Sequence, residues 1–457
     1  EAARTMRDES VGSIIILDTN KHPIGIMTDR DLRNKVVTGE FPLDEPVSTI
    51  MSSPVITAPE HLSVADVQIL MMKHGIHHLC LTVDGTVDSA VKGIISEHDL
   101  LVIQGNNPAI LIRELRRSKS GKALRQIREK AENLLYKYLI REVSIDFISN
   151  IMTQVNDMVI TRAIQLAQKQ LDATGIQAPD VKWCWLALGS EGREEQLLRT
   201  DQDNALVFDN VPEDQHENVK AYFLKLAAGA TAILNEVGFD YCPADMMASN
   251  PLWCISLNEW KQQFSKWMGS PAEQNLLYAM IFFDFRPIYG QFELASALAD
   301  HITETMDGSP MFLNFLAREA LQNPPPLTFF RNFMVERGGE HKNQFDIKAR
   351  AMRPLTDAAR VLILQAKALN VNNTFRRFDH MAELEPQNKE LFEQASDAYE
   401  ILVRYRAMQG LKNKDDGRYF NPEELSKMDR LNLRNSFQPI RKLHELLRIR
   451  FRLQLMM

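Results

Sequence analysis

This chain has little cysteine and no long apolar run. Its four cysteines, Cys80, Cys184, Cys242 and Cys254, form no Cys-x-x-Cys pair and no regular spacing, so they suggest neither a zinc site nor a disulfide framework. A reducing, cytoplasmic setting is the expectation. No stretch approaches the ~18 apolar residues of a membrane span, and no secretory leader opens the chain, so no membrane contact is expected. Strong charge of one sign is missing too. A formal net charge of −7 argues against general binding of nucleic acid, because phosphate contacts need a basic footprint. What remains is ordinary globular composition, 45% apolar and 25% charged, in 457 residues, long enough for about three domains and a sizeable core. A chain that opens at Glu1 reads as a piece of something longer.

One stretch organises the rest. A short apolar run, Trp185-Leu186-Ala187-Leu188, stops at Gly189-Ser190. A charged half-turn follows, and a second apolar run opens with Thr200-Asp201-Gln202-Asp203-Asn204. Residues i and i+2 of a strand share a face, so Asp201 and Asp203 present both carboxylates together. Hard oxygen ligands of this kind suit Mg²⁺, which takes one or two protein carboxylates and fills its shell with water and substrate phosphates. Gly189 lets the backbone approach a triphosphate, and the Ser190 hydroxyl and nearby amides can donate to it. For a bare Gly-Ser plus Asp-x-Asp, a solvated strand end explains the pattern as well.

The fuller string is more specific. Gly189-Ser190-x-Gly192-Arg193-x-Glu195-Gln196 with the Asp-x-Asp segment resembles the nucleotidyltransferases of the DNA polymerase beta superfamily. Within it, the string resembles the bacterial CBS-domain proteins related to PII uridylyltransferase and glutamine synthetase adenylyltransferase. The resemblance implies Mg²⁺-assisted transfer of a nucleoside monophosphate from a nucleoside triphosphate to a protein or small-molecule acceptor. Asp201 and Asp203 would hold the metal, Gly189 and Ser190 the phosphates, and Arg193 would either neutralise phosphate or brace the loop. A third metal carboxylate is expected at Asp245, where an exposed loop acid is the competing explanation. Asp284 is read as structural or substrate-positioning. Lys348, Arg360 and Arg376 belong to a C-terminal helical part and face either a nucleotide tail or water. A reading from another class also stands: a catalytically inactive protein that senses nucleotide.

Residues 1–103 hold an internal repeat. Strand, turn, strand and helix around Gly25-Ile26-Met27-Thr28-Asp29-Arg30-Asp31 are echoed around Gly93-Ile94-Ile95-Ser96-Glu97-His98-Asp99. This resembles a tandem CBS pair, a module that implies an adenine nucleotide between its copies and a homodimer formed through them. Thr28 and Asp31, and Ser96 and Asp99, match the Thr/Ser-x-x-Asp pattern that holds ribose and phosphate; a helix capping box explains the same pattern without a ligand. The first copy lacks the lead-in that the second has in residues 46–67. No carboxylate or cysteine lies at metal-ligand spacing in the sequence from His74, His77 and His78, which read as structural. The expected fold is mixed α/β: a CBS pair over 1–103, a helical linker over 104–170, a polymerase-beta-like nucleotidyltransferase core over 171–294 and a helical bundle over 295–457.

Overall fold

Trp183–Ala187 (β6) is apolar along its length and almost fully buried, as expected of a central strand covered on both faces. It pairs antiparallel with Asn204–Phe208 (β7) on one side and with Arg286–Gly290 (β9) on the other. Cys254–Ser256 (β8) adds to β7 in parallel, giving the order β8-β7-β6-β9. These strands lie in a computed structural model that describes residues 1–8, 11–37, 41–42, 45–96, 100, 108–270, 272–307, 309–323, 326–327 and 332–453. In β6 and β7, Leu186 lies opposite Ala205 and Ala187 opposite Asn204. That register brings Gly189, just past the end of β6, beside Asp203, just before the start of β7.

Long helices cover the sheet. Gly121–Ile140, Ile145–Ala173 and Glu213–Val237 share their apolar faces with it in one continuous core that runs from Leu111 to Leu453. The 3.6-residue periodicity around Ile148, Met152, Val155 and Val159 thus marks a helix buried inside this unit. The segment Pro108–Met457 is one compact unit, and residues Glu1–Asn107 form another. Further helices, among them Arg353–Gln365, Thr374–Leu384 and Lys389–Asn413, complete the second unit and share its core. No described helix is long and apolar enough to cross a membrane.

The first unit repeats one theme at smaller scale. A hairpin of Ser13–Leu17 (β1) and Pro23–Thr28 (β2) packs around Met6, Met27 and Ile50. A sheet of Thr57–Pro59 (β3), His78–Thr82 (β4) and Val91–Ser96 (β5) packs on the helix Val64–His74 around Val67, Met71 and Leu79. Gly25 and Gly93 occupy matching places in the second strand of each hairpin, opposite Ile16 and Leu81.

Candidate active site

Asp201 and Asp203 converge because the residue between them is anchored the other way. Gln202 is buried, and its amide nitrogen donates to the carbonyls of Thr231 and Phe239 at 3.1 and 2.9 Å. With Gln202 tied inward, the flanking carboxylates are left on the opposite face. The loop at residues 240–248 is tied alongside: Asp240 bridges Asp201, the Gln202 amide donates to the Asp240 carbonyl, and Ala248 donates to the Asn204 side chain at 2.8 Å. That loop delivers Cys242. The ligand atoms of Asp201, Asp203 and Cys242 all lie within 4.8 Å of one another.

Electrostatics single this cluster out. Burial, and then the neighbouring charge of Asp201, push the Asp203 carboxyl up to about 6, although the Cys242 thiol donates to it and Lys348 and Arg193 pull the other way. Cys242 is itself pushed up to about 11, by burial and by the charge of Asp203, so it stays protonated near neutrality. Two carboxylates held together against their repulsion are the kind of donor pair that a cation would use. Gly189 closes over this pair from above. Its φ is +55°, and a Cβ there would sit 2.9 Å from Asp203 Oδ2, so glycine is required both for the turn and for the close approach.

The loop following Gly189 is braced from below by unusual polar packing. Arg128, fully buried, donates from Nε to Asn156 Oδ1 at 2.9 Å and from Nη2 to the Leu197 carbonyl at 2.8 Å. Asn156 in turn donates to Glu191 Oε2 and to the Gln196 carbonyl. Burial, with the charge of Asp157, raises the Glu191 carboxyl to about 8 against the pull of Arg286 and Arg128. On the other side Arg193 donates from Nε to Glu195 at 2.9 Å and from Nη1 to Asp284 at 2.7 Å. Arg193 therefore braces the loop: among the described residues its guanidinium donates to protein carboxylates, and phosphate neutralisation is not the role this geometry gives it.

Asp284 is the anchor of that brace. Fully buried, it accepts from Arg193, from Arg360 through Nε and Nη2, and from Arg377 at 2.8 Å. Burial alone would raise its carboxyl, but Arg360, Arg377 and Arg193 hold it well below the usual carboxylate range. Arg360 is thus spent inside the protein, bound also to Asp357 at 2.7 Å, and faces neither a nucleotide tail nor water. Arg376 reaches the loop instead, donating to Glu194 at 2.9 Å. Gly192 packs so closely on Asp284 that a Cβ would overlap its carbonyl oxygen. The Glu195 carboxylate completes the clamp, accepting from the Thr374 amide and from Tyr399 Oη at 2.7 Å.

Residues 129–274 match the family described as "Putative nucleotidyltransferase DUF294", residues 310–451 match the "Putative nucleotidyltransferase substrate binding domain", and residues 1–38 and 47–105 match the CBS domain. The chain is a CBS-domain protein of the DUF294 family. An uncharacterised protein of Methanopyrus kandleri is 35% identical over 118 residues, which is 26% of this chain and 59% of that protein. A CBS domain-containing protein of Bacillus subtilis is 31% identical over 107 residues, 23% of this chain and 73% of its own length. The chain spans under two thirds of the first two curated relatives it matches, 59% and 58%. Among solved structures, a conserved protein from Pyrococcus horikoshii is 29% identical, covering 23% of this chain and 76% of its own, with a TM-score of 0.21. A CBS domain pair in complex with 5′-methylthioadenosine and S-adenosyl-L-methionine is 26% identical, covering 23% and 78%, with a TM-score of 0.20.

Within this DUF294 protein the expected third carboxylate is displaced. Asp245 sits at φ +53° in an exposed turn; its carboxylate accepts from Asn250 at 3.0 Å, and its carbonyl accepts from Trp253 Nε1. Those bonds turn it into the scaffold of its own loop, and Cys242 takes the place beside the two aspartates. Sequence reasoning passed over Cys242 because it looked for cysteine pairs. Its one signal was its place in the loop that was to bring the third ligand.

In the CBS pair, Thr28 and Asp31 form a complete capping box. Thr28 Oγ1 donates to Asp31 Oδ2 at 2.7 Å, the Thr28 amide donates to the same oxygen at 3.0 Å, and the Asp31 amide donates back to Thr28 Oγ1 at 3.3 Å. Lys35 pairs with Asp31 at 3.1 Å. Burial would raise the Asp31 carboxyl, but Thr28 and Lys35 hold it below its ordinary value. Ser96 ends β5, at the place matching Thr28. Asp99 lies outside the described residues.

Proposed function

We propose that this protein moves a nucleoside monophosphate from a nucleoside triphosphate to an acceptor hydroxyl with the help of Mg²⁺, as part of a signalling response tuned by adenine nucleotides at the CBS pair. The observation that carries this reading is the convergence of Asp201 and Asp203 beneath Gly189, at the mouth of a loop braced on both sides. The donor set fits the ion: two carboxylates are hard oxygen donors of the number Mg²⁺ commonly takes from protein, and the protonated Cys242 thiol serves as a hydrogen-bond donor to Asp203. When bound, the ion neutralises phosphate charge and orients the reacting oxygens. Asp201 and Asp203 would hold it. Ser190, half-buried at the loop's first turn, would donate to phosphate. The acceptor oxygen bonds to the α-phosphorus, the bond from that phosphorus to the bridging oxygen breaks, pyrophosphate leaves, and the hydroxyl proton passes to solvent.

Calorimetry with Mg²⁺ and each nucleoside triphosphate tests this on Asp201→Asn and Asp203→Asn. Each variant is expected to lose Mg²⁺-dependent binding at least tenfold; parent-like binding by both would remove the metal assignment. A second reading is favoured by one observation, the thiol standing where a third carboxylate is expected. Under it the same pocket binds nucleotide without turnover, and the protein reports nucleotide level to a partner. Labelled triphosphate incubated with protein, Mg²⁺ and cell extract separates the two: a labelled macromolecule or small molecule, absent with Asp203→Asn, supports transfer.

A further inference from the structure

We propose that Lys348 and Arg406, both from the C-terminal helical part, form an anion seat facing Asp201 and Asp203, and that this seat takes the polyphosphate tail of the nucleotide. The inference rests on the nucleotidyl-transfer reading and gives the C-terminal part a defined share in it.

The two cations are brought to the site by separate local devices. Lys348 opens a π-helical turn, Lys348–Met352, that follows the short strand Phe345–Asp346. That strand pairs with Tyr419–Phe420, and Arg418 clamps it by donating to Asp346 at 2.9 and 2.7 Å. Asp346 also accepts from the Ala349 amide, fixing the start of the turn. Arg406 lies on the helix Lys389–Asn413 and is steadied by Asp416, whose carbonyl accepts from its Nε at 2.9 Å and whose carboxylate lies 3.5 Å from Nη2. Arg406 shares a small cavity with Ser190, Gln196, Thr200 and Met352, the last residue of the Lys348 turn.

Charge then points to an anion. Among the described residues the Lys348 ammonium has no hydrogen-bond or ion-pair partner; it feels Asp201, Asp203 and Asp416 at longer range, and Arg406 repels it. Lys348 is also solvent-accessible, so it is open to a ligand. Once a dication occupies the two aspartates, their charge is spent, and among the described residues Asp416 is the acid left facing Lys348 and Arg406. A run of phosphate oxygens neutralises what is left, touching the ion on one side and the two cations on the other. Arginine suits the seat because its planar fork matches phosphate, and lysine because its point charge follows a shifting tail.

The test is calorimetric titration of the full chain with inorganic tripolyphosphate, which has no base or sugar, in the presence of Mg²⁺. The expectation is that Lys348→Gln and Arg406→Gln each weaken binding at least tenfold, while Arg406→Lys, which keeps the charge, loses less than Arg406→Gln. Lys348 is exposed, so Lys348→Gln should melt like the parent and keep the result readable even if the Arg406 variants unfold. Parent-like affinity in a folded Lys348→Gln protein overturns the seat. The two readings fail differently. Mg²⁺-triphosphate binding that needs Asp203 but is indifferent to Lys348 and Arg406 overturns the seat and leaves transfer standing; tripolyphosphate binding that needs both cations, in a protein that labels no acceptor, supports the seat and sets transfer aside.

Discussion

Two clusters of acid and base lie within the same unit and are built on opposite plans. At Asp284 one carboxylate accepts from three guanidiniums, Arg360 and Arg377 buried and Arg193 half-buried. At Asp201 and Asp203 two carboxylates face each other, a protonated thiol and a lysine that has no close partner among the described residues. The first arrangement matches its charges within the protein, through Asp284, Asp357 and Glu195, although among the described residues Arg377 Nη1 has no hydrogen-bond partner. The second is short of positive charge at the acids and short of negative charge at Lys348 and Arg406. Saturated charge holds a fold together, whereas charge left unsatisfied against repulsion is how a fold keeps a place for something else.

The largest expected effect comes from breaking the saturated cluster. Asp284→Ala removes the carboxylate that Arg193, Arg360 and Arg377 share; Arg193 keeps Glu195 and Arg360 keeps Asp357, but among the described residues buried Arg377 loses its acidic partner, and removing one partner from a buried pair costs about 3–5 kcal/mol. Denaturant unfolding of the second unit should show a loss of that size. Asp203→Asn should do the reverse: it removes a repelling charge, so stability is unchanged or higher while metal-dependent binding falls. A stability loss at Asp203 comparable to that at Asp284 would erase the contrast.

A smaller effect is expected at the junction of the two clusters. Gly189→Ala forces an L-residue to φ +55° and drives a methyl group against Asp203. The backbone strain is about 1–2 kcal/mol, and the displaced carboxylate should weaken Mg²⁺ binding more than stability. Comparing the calorimetric affinity with the melting midpoint of the variant checks this.

The last effect is a slope with pH. Glu191, raised to about 8 by burial and by Asp157, holds a proton in the folded protein over a range where the unfolded chain has released it. Its stabilising contribution is full below the ordinary carboxylate range and is lost as pH rises through about 8. The slope is at most about 1.4 kcal/mol per pH unit. Glu191→Gln should flatten stability between about pH 5 and 8 and leave the variant more stable than the parent at the alkaline end, measured as unfolding midpoints across pH.

How much of this was legible beforehand follows from sequence distance. Asp201 and Asp203 were legible because strand alternation is local, and Gly189 because a turn of this kind leaves few alternatives. The capping box at Thr28 and Asp31 was legible for the same reason, as one of two explanations. Cys242 was not, since its position depends on Asp240 bridging Asp201 and on Asn204 holding Ala248, contacts that no local pattern announces. Arg360 looked like a surface or ligand-facing cation because a helix with charge at intervals usually has a wet face. Its burial depends on Asp284, which is 76 residues away in sequence. Residues 104–170 were read as a helical linker, and the periodicity within them says only that a face is covered. The sheet and the helix Glu213–Val237 that cover it come later in the chain.

The clamp on Glu195 also sets an order in time. Its carboxylate is closed by the Thr374 amide and by the Tyr399 hydroxyl, 179 and 204 residues further along. A ribosome adding about 5–20 residues per second needs roughly 10 to 40 seconds to travel the longer distance. In the later part of that interval, once Gly290 has been added, the sheet strands β6 to β9 are all made, while the loop after Gly189 still lacks the bonds that close on Glu195. The nascent chain is therefore expected to pass through a stage in which the acids are present and the loop is loose, and the protein becomes competent only when its C-terminal helices dock.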